Sequence, residues 1–137
     1  MKAVYPVIFT KTDTCILVEV PDLGILTEGE DMMDAIDMAR DAIGLKGISM
    51  EDDASEIPKA SSLDKVDLSK GAFAGEGVSF VSLVDIDFTE YRKRNDNKTV
   101  RRNVTLPNWL NQEAEKAHVN VSRVLQEALM EKLGAVK

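Results

Sequence analysis

Residues 101–106 constrain this chain more than any other stretch. Arg101, Asn103 and Thr105 alternate with Arg102, Val104 and Leu106, a period of two that predicts a β-strand with one polar and one more apolar face. Pro107 ends the strand and suits the first position of a helix. A helix is predicted over 107–117, with Leu110, Ala114 and Ala117 on one stripe. Val119-Asn120 breaks it, and Asn120 can cap a second helix to about residue 133, striped by Val121, Val124, Leu125, Ala128, Leu129 and Leu133. One strand and two helices in about forty residues lie near the lower limit for independent folding, and a lone strand has no ladder partner. The physical escape is a homodimer. Two copies of the strand pair antiparallel about a two-fold axis over a core of Val104, Leu106, Leu110, Val124, Leu125 and Leu129. Whether such dimers pair again into a dimer of dimers stays open.

A two-stranded ribbon of this kind fits the major groove of double-stranded DNA. Its outward face then carries Arg101, Asn103 and Thr105 from each chain. Arginine can pair with guanine, asparagine with adenine, and threonine with a polar edge or a thymine methyl. The start of the second helix offers free N–H groups to a phosphate, with Asn120, Ser122 and Arg123 beside them. Arg92, Lys93, Arg94 and Lys98 are either further phosphate contacts or a solvated charge run. The plain alternative for the strand is a polar face on a dimerisation element. Trp109 reads as a dimer-core or hinge-packing residue, and His118 as a turn or helix-end residue.

Charge divides the chain. Residues 1–90 hold 7 Lys/Arg and 19 Asp/Glu, a balance of −12; residues 91–137 hold 10 and 5, a balance of +5. An acidic body repels nucleic acid and favours a basic partner, whereas a basic tail does the reverse. The boundary is therefore placed in a basic hinge at 91–98, between an acidic domain at 1–90 and a dimerising domain at 99–137.

The acidic part reads as α/β. Residues 3–10 and 15–20 predict a hairpin, and 23–27 a third strand closed by Glu28-Gly29. A helix follows over 30–43, with Met32, Ala35, Ile36, Ala39 and Ile43 on one stripe, Asp34, Asp37 and Asp41 towards water, and Gly44 as its C′ residue. A shorter helix is expected from about Ser49, ended by Pro58. Residues 59–77 read as a loop or excursion. Residues 78–88 give the clearest strand, apolar enough on both faces to be covered on both sides.

Several quoted runs resemble a known family. The succession Tyr5-Pro6-Val7-Ile8-Phe9, Ile16-Leu17-Val18-Glu19-Val20-Pro21-Asp22-Leu23, Leu26-Thr27-Glu28-Gly29-Glu30, an Ala/Ile/Asp-rich helix and Glu56-Ile57-Pro58-Lys59-Ala60-Ser61 resembles the HicB antitoxins. The tail over about 99–133 resembles the ribbon-helix-helix DNA-binding dimers. The resemblance implies an α+β chain: a partial ribonuclease-H-like α/β domain, antiparallel sheet plus helix and without nuclease activity, joined to a ribbon-helix-helix module. It implies a type II antitoxin. The first domain binds a HicA-type mRNA-cleaving toxin, and the second binds the operator of its own operon and represses it. The residues that touch the toxin stay unassigned.

Composition removes other classes. With 44% hydrophobic and 30% charged residues, the chain is globular rather than disordered throughout. No apolar run approaches the ~20 residues a bilayer needs, and the start lacks a secretory h-region, so a cytoplasmic protein with no membrane partner is expected. One cysteine allows neither an internal disulfide nor a cysteine-built metal site. Cys15 reads as a small buried residue within a strand. A single histidine argues against zinc. No metal or cofactor is expected. Gly71, Gly75 and Gly77 lack the Lys-Ser/Thr of a phosphate loop. Asp13, Glu19, Asp22, Asp85 and Asp87 form no nuclease motif, so a metal-dependent hydrolase is kept only as a rival to the antitoxin, beside a dimeric adaptor that does not bind DNA.

Overall fold

The computed structural model describes residues 1–95 and 99–134. The chain divides into two compact units, 1–97 and 98–137. The first has four strands, β1 (Lys2–Lys11), β2 (Ile16–Val20), β3 (Ile25–Gly29) and β4 (Val78–Asp87), with helices α1 (Met32–Asp52) and α2 (Phe88–Asn95). The second has α3 (Asn108–Lys116) and α4 (Val121–Leu133).

The expected hairpin is present. β1 and β2 pair antiparallel with Phe9 opposite Val18. β3 starts two residues later than its pattern predicts, because Pro21–Leu23 forms a 3-10 turn that ends at Gly24 in the left-handed region. The sheet order is β3-β2-β1-β4, antiparallel throughout. Opposite residues share a face, so Tyr5, Val7, Phe9, Val18, Val20, Val84 and Ile86 form one apolar surface, and all are buried. α1 lies against that surface and buries Ala35, Ala39 and Ile43, with Met32 and Ile36 partly buried beside them. This is the predicted stripe.

Three expectations are corrected. α1 does not stop at Gly44; it runs on to Asp52 and absorbs the separate short helix expected near Ser49. Gly44 and Gly47 instead form a notch. A Cβ on Gly44 would lie 2.6 Å from the Tyr91 ring, and one on Gly47 would lie 2.2 Å from the Phe88 ring. Their missing side chains admit α2. The hinge expected at 91–98 is therefore helical as far as Asn95. β4, finally, is not covered on both sides. It is an edge strand, and although Val84 and Ile86 are buried, Val78, Phe80 and Leu83 are exposed.

The excursion over 59–77 is anchored rather than loose. The Asp22 carboxylate accepts hydrogen bonds from Ser61 N at 2.8 Å and Ser61 Oγ at 2.6 Å. Glu19 Oε1 accepts from Ala72 N at 2.9 Å. These two carboxylates hold the segment on the sheet face opposite α1, where Ile8 is buried. Cys15 is half-buried and lies just before β2, not within it.

In the second unit, Pro107 occupies the position before α3. His118 takes a left-handed conformation (φ 54°) after α3, and Val119 N reaches back to Ala114 O at 3.0 Å. Histidine tolerates that region better than most residues. Asn120 caps α4 as expected, its Oδ1 accepting from Arg123 N at 3.1 Å. Gly134 ends α4 with φ 66°. Among the described residues no helix is long and apolar enough to cross a membrane.

Candidate functional site

Residues 99–107 form no regular element within the protomer, and 101–106 pair with no other strand among the described residues. Arg101, Asn103 and Thr105 are all exposed. So are Val104, Leu106, Leu110, Val124, Leu125 and Leu129, together with Trp109. No described residue from 99 to 134 is buried; only Ala114 and Met130 are partly covered. Thr99, Val100, Arg101 and Arg102 line a groove with Ser122, Leu125, Gln126 and Leu129 of α4. The strand segment thus lies beside the apolar stripe of the helix, and that stripe stays partly open in one protomer, with Val124 and Leu129 about half exposed.

The residues expected around a phosphate are brought to one helix start. Asn120, Ser122 and Arg123 surround the first turn of α4. Two of them already have partners. The Asn120 side chain caps the helix, and Arg123 Nε lies 3.1 Å from Glu127 Oε1, one turn on. The N–H groups of Val121 and Ser122 and the Ser122 hydroxyl remain at the exposed end, since Arg123 N and Val124 N already donate to Asn120.

The basic run beyond β4 is placed elsewhere. Arg92 Nη2 contacts Glu51 Oε2 at 3.0 Å and Asp52 Oδ1 at 3.1 Å. The hydrogen bond to Glu51 and the nearby Asp52 raise the guanidinium's affinity for its proton still further, against a smaller desolvation cost. Lys93 Nζ lies 3.1 Å from Glu90 Oε1. These two cations thus face carboxylates of their own unit: the long α1 carries Glu51 and Asp52 to Arg92, and Glu90 lies one turn before Lys93 on α2. Arg94 is exposed, and Lys98 lies outside the described residues. Beside them, the Tyr91 hydroxyl donates to Asp41 Oδ1 at 2.6 Å. Burial first, and then the Asp41 carboxylate, push its pKa well above its ordinary value.

The acidic body carries many exposed carboxylates without a metal arrangement. Among the described residues no group of three or more Asp, Glu, His or Cys side chains could hold a metal ion. Several acids have structural tasks. Asp34 closes the start of α1 by accepting from Glu30 N, while Asp31 accepts from Asp34 N, each at 2.8 Å. Arg40 bridges to Asp85 at 3.0 Å. Tyr5 donates from its hydroxyl to Pro58 O at 2.7 Å and fixes the chain after α1. Burial and the Asp22 charge raise the Tyr5 pKa.

With this geometry in place, the comparisons with known proteins divide into sequence and fold. Residues 5–129 match the family described as the HicB-like antitoxin of bacterial toxin-antitoxin systems. A solved chain from a toxin-antitoxin complex of Streptococcus pneumoniae is similar over 96% of this chain and 99% of that one, with TM-score 0.62 and 24% identity. The crystal structure of the Burkholderia pseudomallei antitoxin HicB is similar over 98% and 99%, with TM-score 0.52 and 25% identity. No curated protein is significantly similar in sequence.

Proposed function

We propose, starting from the fact that this chain belongs to the HicB-like antitoxin family of bacterial toxin-antitoxin systems, that its two units divide the work of neutralisation and gene control. The N-terminal unit, in our reading a partial ribonuclease-H-like domain, binds and masks a HicA-type toxin ribonuclease. The C-terminal unit pairs with a second copy as a ribbon-helix-helix dimer, binds operator DNA and represses the operon. The antitoxin role is one of binding, not catalysis.

The observation that carries the second half is that no described residue of the C-terminal unit is buried. Val104, Leu106, Leu110, Val124, Leu125 and Leu129 are exposed in one protomer, and a stripe that wide requires cover. A second copy supplies it. It also supplies the ladder partner that residues 101–106 lack, and it brings two sets of Arg101, Asn103 and Thr105 to one ribbon. Asn120, Ser122 and Arg123 then hold flanking phosphates, with Arg94 and Lys98 as secondary candidates. Arg92 and Lys93 contribute only if phosphate displaces their carboxylate partners.

The toxin half rests on charge and kinship. A body of −12 suits a basic partner through steering and complementarity. The structurally similar chain from S. pneumoniae comes from a toxin-antitoxin complex. The deciding test for the DNA half is an electrophoretic titration of operator DNA. Arg101→Ala should cost about 1–3 kcal/mol and relax sequence preference. The triple alanine variant at 101, 103 and 105 should bind only non-specifically. Unchanged operator affinity in the triple variant, with the dimer intact, refutes the ribbon assignment and leaves the adaptor reading.

A further inference from the structure

We propose that the outer edge of β4 is a second self-association surface, on which β4 of another copy pairs antiparallel to extend the sheet. The inference stands apart from the pairing of the C-terminal units.

The edge has the properties that folded proteins ordinarily avoid. Its pairing with β1 is continuous from Lys2 opposite Asp87 to Lys11 opposite Val78, with no bulge. It is ten residues long, and residues 78–84 contain no charge and no proline. Val78 is 73% exposed, Leu83 52% and Phe80 40%. Natural edges are blunted by lysine, proline, bulges, short length or a covering element. The opposite edge is short: β3 has five residues. An edge of this length, apolar and uncharged over 78–84, is a template for another strand.

The occupant follows from the sequence of the strand itself. A two-fold axis normal to the sheet keeps each face continuous, so a residue pairs with one of the same face in the partner. With the axis at Ser82, Phe80 meets Val84 and Val78 meets Ile86 on the α1 face. Val81 meets Leu83 on the other. Asp85 then lies opposite Ser79, and Asp87 opposite Gly77, so no carboxylate faces another. The strand is self-complementary in shape, hydropathy and charge. Moving the axis to Leu83 would set Asp85 against Val81, a poorer match. A basic partner has little to attract it over residues 78–84, whereas an identical strand does.

Cross-linking of the full-length chain tests this. With Cys15→Ser removing the native thiol, Ser82→Cys places two thiols at the axis. There Cα atoms of directly opposed residues lie about 4.5–5.5 Å apart, within disulfide reach. Mild oxidation should give a disulfide-linked dimer roughly tenfold faster than Leu26→Cys on the β3 edge, which no axis brings together. Adding Val81→Lys and Leu83→Lys, which places like charges opposite one another, should slow the Ser82→Cys linkage by about tenfold. Hydrogen exchange should show β4 amides of the unaltered chain becoming less protected on dilution. Linkage at the control rate overturns the proposal. So does β4 protection that arises only when toxin is added, since the edge then belongs to the toxin.

Discussion

The two units of this chain solve the problem of burial in opposite ways. The N-terminal unit places thirteen apolar side chains in one core and shields both faces of β1, using α1 on one side and the anchored 59–77 segment on the other. The C-terminal unit has a helix capped by Asn120 and no buried residue among those described. Local helix signals are equally strong in both, with carboxylate and asparagine caps at Asp31 and Asn120. The difference lies in chain length. Some ninety residues can enclose a sheet, while two helices and an extended arm cannot enclose anything. Good local structure is therefore not evidence of an autonomous domain.

The comparison breaks most sharply under core truncation. Phe9→Ala removes a fully buried ring and should destabilise the first unit by about 3–5 kcal/mol. Its urea midpoint should fall. An unchanged midpoint would mean that the Phe9 ring is not part of the core described above. Gly47→Ala comes next, because its new methyl meets the Phe88 ring. A loss of about 1–3 kcal/mol is expected, as for overpacking, with α2 amides exchanging faster than those of β1.

In the tail the same kind of experiment acquires a concentration axis. Leu125→Ala should raise the dimer dissociation constant by roughly tenfold to a hundredfold, in line with about 1–3 kcal/mol for an exposed apolar group that becomes covered. Analytical ultracentrifugation reads this directly. A tail that sediments as an ordered monomer, in the variant or its parent, removes the contrast between the units.

A pH titration sharpens the picture around α2. Tyr91 has a raised pKa in the folded state, so its contribution is complete below its ordinary value near 10 and is lost as pH rises beyond it. Tyr91→Phe should flatten the alkaline loss of stability of the first unit. Thermal melts between pH 8 and 11 that superimpose for the two proteins would remove Tyr91 as its cause. The smallest effects come from the two left-handed residues that are not glycine, Ala54 (φ 57°) and His118 (φ 54°). Ala54→Gly should stabilise the first unit by about 1 kcal/mol. His118→Gly should give less, and in the tail the gain should also appear as tighter self-association.

Much of this architecture was readable in residue order. The stripe Met32, Ala35, Ile36, Ala39 and Ile43 gave the buried face of α1, and Asn120 gave the cap of α4, because both depend on near neighbours. What escaped depends on contacts distant in sequence. Gly44 looks like a helix terminator until Tyr91, nearly fifty residues away, is laid across it. Arg92 looks available for phosphate until α1 extends far enough to bring Glu51 and Asp52 alongside. β4 looks like an interior strand because its apolar residues occupy both faces. Its position at the rim could not be read from its own pattern. Arg101, Asn103 and Thr105 were legible only as an alternation, and within one protomer they have no ladder partner to fix their register.

The notch cut by Gly44 and Gly47 has a bearing on how this antitoxin can be engineered. Helix-stabilising alanine substitutions are a routine way to toughen a protein, and two glycines inside a 21-residue helix invite them. Here the void is the receptor and two aromatic rings are its contents. Filling it would strengthen the helix in isolation while evicting the segment that begins the path towards the basic tail.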